Sequence, residues 1–267
     1  RRQRQMCIRD RLGWFALRGG GLAVLAFLLL PVIVIIPLSF SDSSFLAYPI
    51  EGWSLRWYEE MFHSDDWIRA TKNSFIVAPL ATLLATTLGT LAAMGLANTK
   101  FLGKGFITGL LISPMVVPIV VVGVSAYLYF ARWGLNDSYL GLVIVHAALG
   151  APFVVTTVLA TLQSFNHNLV KASLSLGASP LETFFRVTLP VIAPGVISGA
   201  LFAFATSFDE VVVTLFLAGP EQVTLPRQMF TGIRENISPT IAAVATLLIL
   251  FTTALILTLE WLRGRRK

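Results

Sequence analysis

The sequence predicts an all-α membrane protein with six transmembrane helices. Of its 267 residues, 55% are hydrophobic and 13% are charged, and the mean hydropathy of +0.76 is too high for a soluble domain of this length. Six apolar stretches of roughly bilayer length are separated by shorter polar segments. Lys and Arg concentrate in alternate polar segments, so the net charge of +6 indicates membrane topology rather than nucleic-acid binding.

The head of the chain, residues 1–18, is basic and carries six Arg. The sequence begins without Met, which a truncation or an error in assembling the sequence would explain. The first few residues are therefore excluded from the predicted fold. The apolar stretch at residues 19–40 is longer than a signal-peptide core, so it is interpreted as an uncleaved first span. Residues 41–72 are polar and acidic, and their scattered aromatic side chains favour a helix at the membrane interface over a ligand cage.

The remaining spans contain several residues with specific expectations. Pro114, Pro118, Pro152 and Pro194 are expected to kink their spans near the pathway, although kinks are also ordinary in membrane helices. His146 lies in the fourth span without a second His or Cys nearby, which favours hydrogen-bonded packing over a metal site. The spacings Gly105-x-x-x-Gly109 and Gly195-x-x-x-Gly199 fit close helix packing, although such spacing is also common in apolar segments by chance. Spans two to six are predicted at residues 73–97, 105–130, 139–162, 191–218 and 238–262, so one transmembrane domain covers residues 19–262 and a basic tail follows at residues 263–267.

The charge distribution predicts the orientation of the chain. Six spans place both termini on the same side of the membrane. That side carries 14 of the 20 Lys and Arg residues, in the head, the short turn at Lys100 and Lys104, the loop between the fourth and fifth spans, and the tail. The positive-inside rule therefore places both termini and that central loop in the cytoplasm.

The central loop, residues 171–190, reads KASLSLGASPLETFFRVTLP and is predicted to form two short helices joined by a sharp turn. Gly177 tolerates the positive φ that ends the first helix. Ser179, Pro180 and Glu182 then supply the N-cap, the first-turn proline and the capping-box partner of the second helix, which Pro190 is expected to close. Glu182 and Arg186 are four residues apart and are expected to pair.

The spacing of Ala172, Gly177 and Val187-x-Leu189-Pro190 resembles the cytoplasmic EAA loop of binding-protein-dependent ABC importer permeases. Lys171, Ser173 and Val187 replace the Glu, the second Ala and the Ile of that family's pattern. The resemblance implies the type I ABC importer permease fold and a coupling helix that docks into an ATPase subunit; an ordinary interfacial helix-turn-helix is the alternative. The coupling residues so implied are Lys171, Ala172, Ser173, Gly177, Ala178, Ser179, Pro180, Glu182 and Pro190.

The fifth apolar stretch is interrupted by Ser207-Phe208-Asp209-Glu210. Each charge near the bilayer centre costs about 2.5–3.5 kcal/mol on insertion scales, so such residues face a bundle interior, a water-filled cavity or a partner charge. A locally broken helix would account for the excess length of the stretch. One interpretation is that Asp209, with Glu210, attracts a cation on which Tyr127, Trp133 or Phe208 stacks; a structural role is the alternative for each aromatic residue. The alternative is that both acids lie near the outer interface or pair with Arg of another subunit.

Segments over nearly the whole chain beyond the head, including RWYEEMF, NSFIVA and SFDEVVVTLFLAGP, resemble the spermidine/putrescine-type permeases. The resemblance implies a polyamine permease subunit of the bacterial inner membrane that forms half of the pathway. Its partners would be a second homologous permease, two ATPase subunits, an extracytoplasmic solute-binding protein and membrane lipid. No P-loop occurs, so this chain is expected to bind no cofactor, with ATP and Mg on the partner ATPase. An importer for another small organic solute, a secondary carrier and a membrane enzyme are the alternatives.

Overall fold

The computed structural model describes residues 2–99, 101–235 and 238–264, which are mostly helical, as the sequence predicts. The chain forms two compact units. One comprises Asp65–Phe230, and the other combines Arg1–Ser64 with Thr231–Lys267. The predicted turn residue Lys100 and the end of the predicted basic tail lie outside the described residues.

The described residues form the following α-helices, named in chain order: α1 (Arg2–Leu38), α2 (Arg56–His63), α3 (Asp65–Asn98), α4 (Lys104–Ile112), α5 (Ile119–Ala131), α6 (Tyr139–Gln163), α7 (Asn168–Ser175), α8 (Pro180–Thr183), α9 (Leu189–Phe208), α10 (Val212–Leu217), α11 (Leu225–Glu235) and α12 (Pro239–Gly264). A π-helical segment, Phe184–Thr188, joins α8 to α9. Short 3-10 turns follow α4 and α10.

Several of these helices are long and apolar enough to cross a membrane, which makes the chain a multi-pass membrane protein. In the described part of the chain four helices meet this condition alone, and α4 with α5 would add a fifth span if their 100° bend, at the predicted proline kink, belongs to one crossing. α12 contributes a shorter apolar stretch, Pro239–Leu255. The second span begins earlier than predicted, because Asp65 and Asp66 form a favourable acidic first turn. The four helices that are long and apolar enough on their own are Leu17–Leu38, Asp65–Ala97, Tyr139–Gln163 and Pro180–Phe208.

The core of the larger unit is formed by α3, α6 and α9, which pack together through small residues. A Cβ atom at Gly199 would lie 2.7 Å from the Cα of Val154 on α6, and one at Gly195 would overlap the hydroxyl of Thr161. The predicted close packing is therefore confirmed at Gly195 and Gly199, whereas a Cβ atom at Gly105 or Gly109 would meet no atom within 4 Å. Because only glycine lets these backbones approach so closely, this contact fixes the position of α9 on α6.

The predicted closing of the second loop helix at Pro190 is wrong. α8 continues through the π-helical segment into α9, so Pro180–Phe208 is one continuous helix of 29 residues. Pro190 lies in the first turn of α9, where a proline is tolerated, and the wider π turn before it relieves the clash of its ring with a preceding carbonyl. The central loop and the fifth span therefore share one helix.

The smaller unit contains α1, α2 and α12, with a polar connection between the first two helices. The Trp57 indole donates a hydrogen bond to the Ser41 carbonyl oxygen at 2.7 Å, and Ser39 Oγ lies 2.7 Å from Tyr58 Oη. Trp57 is buried whereas Trp53 is 71% exposed. Of the aromatic residues predicted to lie at the membrane interface, Trp53 is therefore exposed, whereas Trp57 is buried in the packing of this unit.

Candidate functional site

The turn between α7 and α8 has the geometry that the sequence predicts. Gly177 has a φ of +86°, a left-handed conformation that a Cβ atom would strain. The Gly177 N–H donates to the Leu174 carbonyl at 3.0 Å and the Ala178 N–H to the Ser173 carbonyl at 3.2 Å. These two bonds form a Schellman motif, which satisfies the carbonyl groups at the end of α7.

The start of α8 is also fixed by local hydrogen bonds. Ser179 Oγ accepts from the Glu182 N–H at 3.2 Å, and Pro180 is the first residue of the helix. The Glu182 carboxylate pairs with Arg186 at 3.1 Å, as predicted. Ser173 Oγ lies 3.0 Å from Thr183 Oγ1 and links the two helices. The central loop is therefore a stiff two-helix unit.

The outer surface of this loop is largely apolar. Leu176 is 88% exposed, Leu181 70% and Phe185 57%, and Lys171 and Ala172 are exposed beside them. Its opposite face covers the ends of α3 and α6 around an apolar cavity of about 230 Å³. An exposed apolar patch on a stiff loop is typical of a surface that another protein covers.

At the other end of the same helix lies a break. α9 ends at Phe208 and α10 begins at Val212, so the predicted interruption of the fifth span is confirmed. Asp209 is exposed, whereas Glu210 is 6% exposed. The Glu210 carboxylate accepts a hydrogen bond from the Val213 N–H at 2.8 Å and so caps α10. The two adjacent acids have different environments, and only Asp209 presents its side chain to the surroundings.

Three residues besides Asp209 are predicted for the substrate pathway: Phe208, Glu210 and Tyr127. Phe208 is buried, stacks on Phe204 at 5.3 Å between ring centroids and meets Phe75 edge-on at 5.5 Å. Phe208 and Glu210 are therefore buried in the packing of the break, and their assignment as cation-facing residues stays a prediction. Tyr127 is 46% exposed on α5, and the contacts described for the break do not involve it.

His146 lies behind the break, on α6, with 1% of its surface exposed. Its Nδ1 lies 2.9 Å from Ser207 Oγ, and its Nε2 lies 3.3 Å from Thr214 Oγ1. The predicted hydrogen-bonded packing of His146 is thus confirmed, although its partners could not be named from the sequence. Among the described residues, no group of three or more His, Cys, Asp or Glu side chains is placed to hold a metal ion.

The end of α10 is held by Arg227, a residue that sequence reasoning missed. Its guanidinium Nη1 donates to the carbonyl oxygens of Ala218 and Thr214. Burial lowers the pKa of Arg227, and the nearby Asp137 carboxylate raises it in part. The available signal was an Arg near the start of an amphipathic segment between two spans, a segment that also carries Arg234.

A second group of polar contacts fixes the connection from α10 to α11. Asn73 Nδ2 donates to the carbonyl oxygens of Glu221 and Val223, each at 2.8 Å, and Tyr139 donates to Asn73 Oδ1 at 2.7 Å. Asn73 is buried near the start of α3. Its position at the first residue of a predicted apolar stretch was the only sequence signal for this role.

A multi-pass helical bundle with an exposed apolar loop at one end of a span and a broken helix at the other has the architecture of a transport permease. Residues 85–265 match the family model described as binding-protein-dependent transport system inner membrane component. The match covers more than half of the chain, so the chain belongs to this family. It is a permease subunit of an ABC importer, as the sequence predicted, rather than an enzyme.

Curated relatives extend the match over most of the chain. The spermidine/putrescine transport system permease protein PotC of Escherichia coli strain K12 is 31% identical over 242 residues, which cover 90% of this chain and 91% of PotC. PotC of Haemophilus influenzae is 32% identical over 233 residues, 87% of this chain and 90% of the relative. The putrescine transport system permease protein PotI of E. coli K12 is 34% identical over 230 residues, 84% of this chain and 82% of PotI.

Solved structures share the fold. A chain of a bacterial ABC transporter involved in the import of the acidic polysaccharide alginate matches with a TM-score of 0.77 at 15% identity, covering 94% of this chain and 96% of that one. A chain of the bacterial alginate ABC transporter in complex with a pentasaccharide-bound periplasmic protein matches with a TM-score of 0.66 at 20% identity, covering 94% and 93%. At these identities the likeness establishes the permease fold alone.

Proposed function

We propose that this chain forms half of the translocation pathway of an ATP-driven importer for polyamines such as putrescine and spermidine. The names of the PotC and PotI relatives support this solute class. The observation that carries the proposal is the exposed Asp209 carboxylate at the break of the fifth span, beside an acid that is already engaged by the backbone. The remaining partners would be a second homologous permease, two ATPase subunits and an extracytoplasmic solute-binding protein.

The charge at the break favours a cationic solute. Because the Glu210 carboxylate accepts from the Val213 N–H, its charge is directed into the protein, and Asp209 provides the negative charge that a solute meets. A carboxylate and an ammonium group about 4 Å apart attract by about 1 kcal/mol in water and about 4 kcal/mol near a protein surface. Such an energy selects a cation at the entrance and still permits its release.

The length of the fifth span indicates where Asp209 would lie. α9 has 20 residues, which correspond to about 30 Å, the thickness of the hydrocarbon core. With the central loop in the cytoplasm, as the positive-inside rule predicts, Asp209 follows the last residue of α9 and lies at the outer mouth of the pathway. Asp209 would then be an entrance residue. Its carboxylate would lie beyond the hydrocarbon core, where a charge costs little free energy.

The continuous helix Pro180–Phe208 supports a coupling role for the central loop. Its 29 residues span about 43 Å, from the apolar loop surface to the residue before Asp209. A push on the loop by an ATPase subunit would move the whole helix together with α6, because the close contacts at Gly195 and Gly199 hold the two helices together. ATP and Mg would bind to the ATPase subunits, and this chain would contribute no nucleotide ligand.

An importer for another small solute is the second candidate. The fold does not decide the sign of the solute charge, because a protein of the same fold imports an acidic polysaccharide. The placement of Asp209 at the break is what favours a cation over an anion.

The proposal is tested by uptake of labelled putrescine and spermidine into proteoliposomes that contain the complete complex. We expect saturable uptake that requires ATP and the binding protein and is not inhibited by an anionic solute of similar size. Absence of uptake for both amines, with ATPase activity still stimulated by the binding protein, would discard the polyamine assignment and keep the permease. Uptake that follows the proton gradient without the ATPase subunits would instead identify a secondary carrier.

A further inference from the structure

One buried imidazole is hydrogen-bonded on both sides of the break in the fifth span. Its partner before the break is Ser207 in the last turn of α9, and its partner after the break is Thr214 on α10. Both hydroxyl-bearing residues are almost fully buried, at 5% and 0% exposure. His146 therefore bridges the two helix ends between which the irregular residues 209–211 lie.

The bridge is anchored in a rigid part of the protein. Among the long apolar helices of the described residues, α6 is the most deeply buried, because 61% of its most apolar stretch lies inside the protein. α10, by contrast, has only six residues, too few to hold a position through its own backbone hydrogen bonds. A side chain from α6 that reaches both helix ends can therefore fix the geometry of the break.

The chemistry of the imidazole suits this task. A neutral imidazole has one donor nitrogen and one acceptor nitrogen, on opposite parts of the ring, and a hydroxyl group can take either role. Because Thr214 Oγ1 donates its one hydrogen to the Glu210 carbonyl oxygen, it accepts from His146 Nε2, and Nδ1 in turn accepts from the Ser207 hydroxyl. Thr214 Oγ1 also donates to the Glu210 carbonyl at 3.2 Å, which extends the bridge to the residue next to Asp209.

We propose that His146 is a positioning residue for Asp209: by joining Ser207 to Thr214, it holds the break in the form that keeps the Asp209 carboxylate exposed on the solute route. The residues around Asp209 are held through Ser207, Phe208 and Glu210, so its own direction follows from theirs. This inference rests on the proposed function, in which Asp209 meets the cationic solute.

Three substitutions on α6 separate the bridge from simple filling of space. His146→Phe keeps a planar ring of similar size and removes both hydrogen bonds, and we expect it to lower amine uptake about tenfold. His146→Gln retains a donor and an acceptor and should recover most of that loss. Leu149→Met, a volume-conserving change at a buried position one turn along α6, is the control and should change uptake less than twofold.

A double-mutant cycle distinguishes positioning from general stability. If His146 acts through Asp209, His146→Phe should lower the uptake of labelled putrescine in the native background and have little further effect on Asp209→Asn. The maximal ATPase rate of the His146→Phe complex should stay within twofold of the native rate. The loss of uptake should instead appear as a higher apparent KM for the solute. Fold-losses that multiply in the double variant, or no rescue by His146→Gln, would overturn the inference.

The cycle also separates this inference from the function on which it rests. Unchanged uptake in Asp209→Asn would remove Asp209 from the route and both proposals with it. A loss in Asp209→Asn together with an independent effect at His146 would remove only the positioning role. If His146→Phe does not assemble, the same cycle is measured with Thr214→Val, which removes the second hydroxyl at nearly constant volume and should give the same non-additive result.

Discussion

The two ends of the helix Pro180–Phe208 are built on different principles. At the loop end, hydrogen bonds between residues close in sequence make a stiff unit that exposes Leu181 and Phe185. At the break, the His146 side chain from α6 joins the two sides of a short irregular segment that exposes one carboxylate, and Arg227 of α11 holds the far end of α10. In the proposed function, one end offers an apolar surface to an ATPase subunit, the other offers a charge to a solute, and the helix between them connects the two.

The largest expected effect is on the connection itself. Gly199→Leu would place side-chain atoms inside the backbone of α6, because even a Cβ atom would lie 2.7 Å from the Val154 Cα. We expect no assembled complex, measured by copurification of the other subunits from detergent. Gly95→Leu, at a helical position where no neighbouring atom lies within 4 Å, is the control and should assemble normally. Normal assembly of Gly199→Leu would mean that α9 does not depend on this contact.

The next largest effect is at the loop end. Gly177→Val forces a β-branched residue into a left-handed conformation, which costs about 1–2 kcal/mol or more and should rearrange the turn. ATP-coupled uptake should fall more than tenfold in a complex that still assembles. Gly105→Val, on an open helical position, controls for added bulk. Intact coupled uptake in a correctly assembled Gly177→Val complex would contradict the coupling role.

At the break, the two neighbouring acids should respond unequally. Asp209→Asn removes the exposed charge and should lower putrescine uptake about tenfold, which corresponds to about 1.4 kcal/mol. Glu210→Gln keeps an oxygen that can accept from the Val213 N–H, so uptake should change less than twofold. Initial uptake rates at subsaturating amine measure both. Equal losses in the two variants would show that exposure does not distinguish these carboxylates.

The smallest effect is expected at the ion pair on the loop. Glu182 and Arg186 are partly exposed, and such pairs on a helix contribute about 0.3–0.5 kcal/mol. Glu182→Gln should therefore leave coupled uptake within twofold and shift the thermal unfolding midpoint by at most a few degrees. A large loss of uptake at unchanged stability would instead make Glu182 a contact residue for the ATPase.

The sequence was sufficient for the features that depend on near neighbours. The turn at Gly177 and the cap at Ser179 follow from local rules that hold in any context, whereas the same glycine spacing gives close packing at Gly195 and Gly199 and none at Gly105 and Gly109. The membrane class and the interruption near Asp209 follow from composition and from the cost of charges in lipid.

The features that the sequence did not predict depend on long-range contacts. Glu210 and Asp209 are adjacent, and only the fold decides which one caps α10 and which is exposed. The partners of His146 lie 61 and 68 residues away along the chain, which no local pattern encodes. Pro190 was misjudged because a proline usually ends a helix, whereas here the π-helical turn before it lets the helix continue.

The most direct test of the central claim, that a negative charge at position 209 meets a cationic solute, is charge rescue on an introduced cysteine. Asp209→Cys is combined with Cys7→Ser, which removes the single cysteine of the chain, and Cys7→Ser alone controls for thiols of the other subunits. The thiol is then modified with a sulfonatoethyl or a trimethylammonioethyl methanethiosulfonate of similar size. We predict that the negative adduct restores ATP-dependent putrescine uptake and the positive adduct does not. Equal uptake with both adducts would contradict the account.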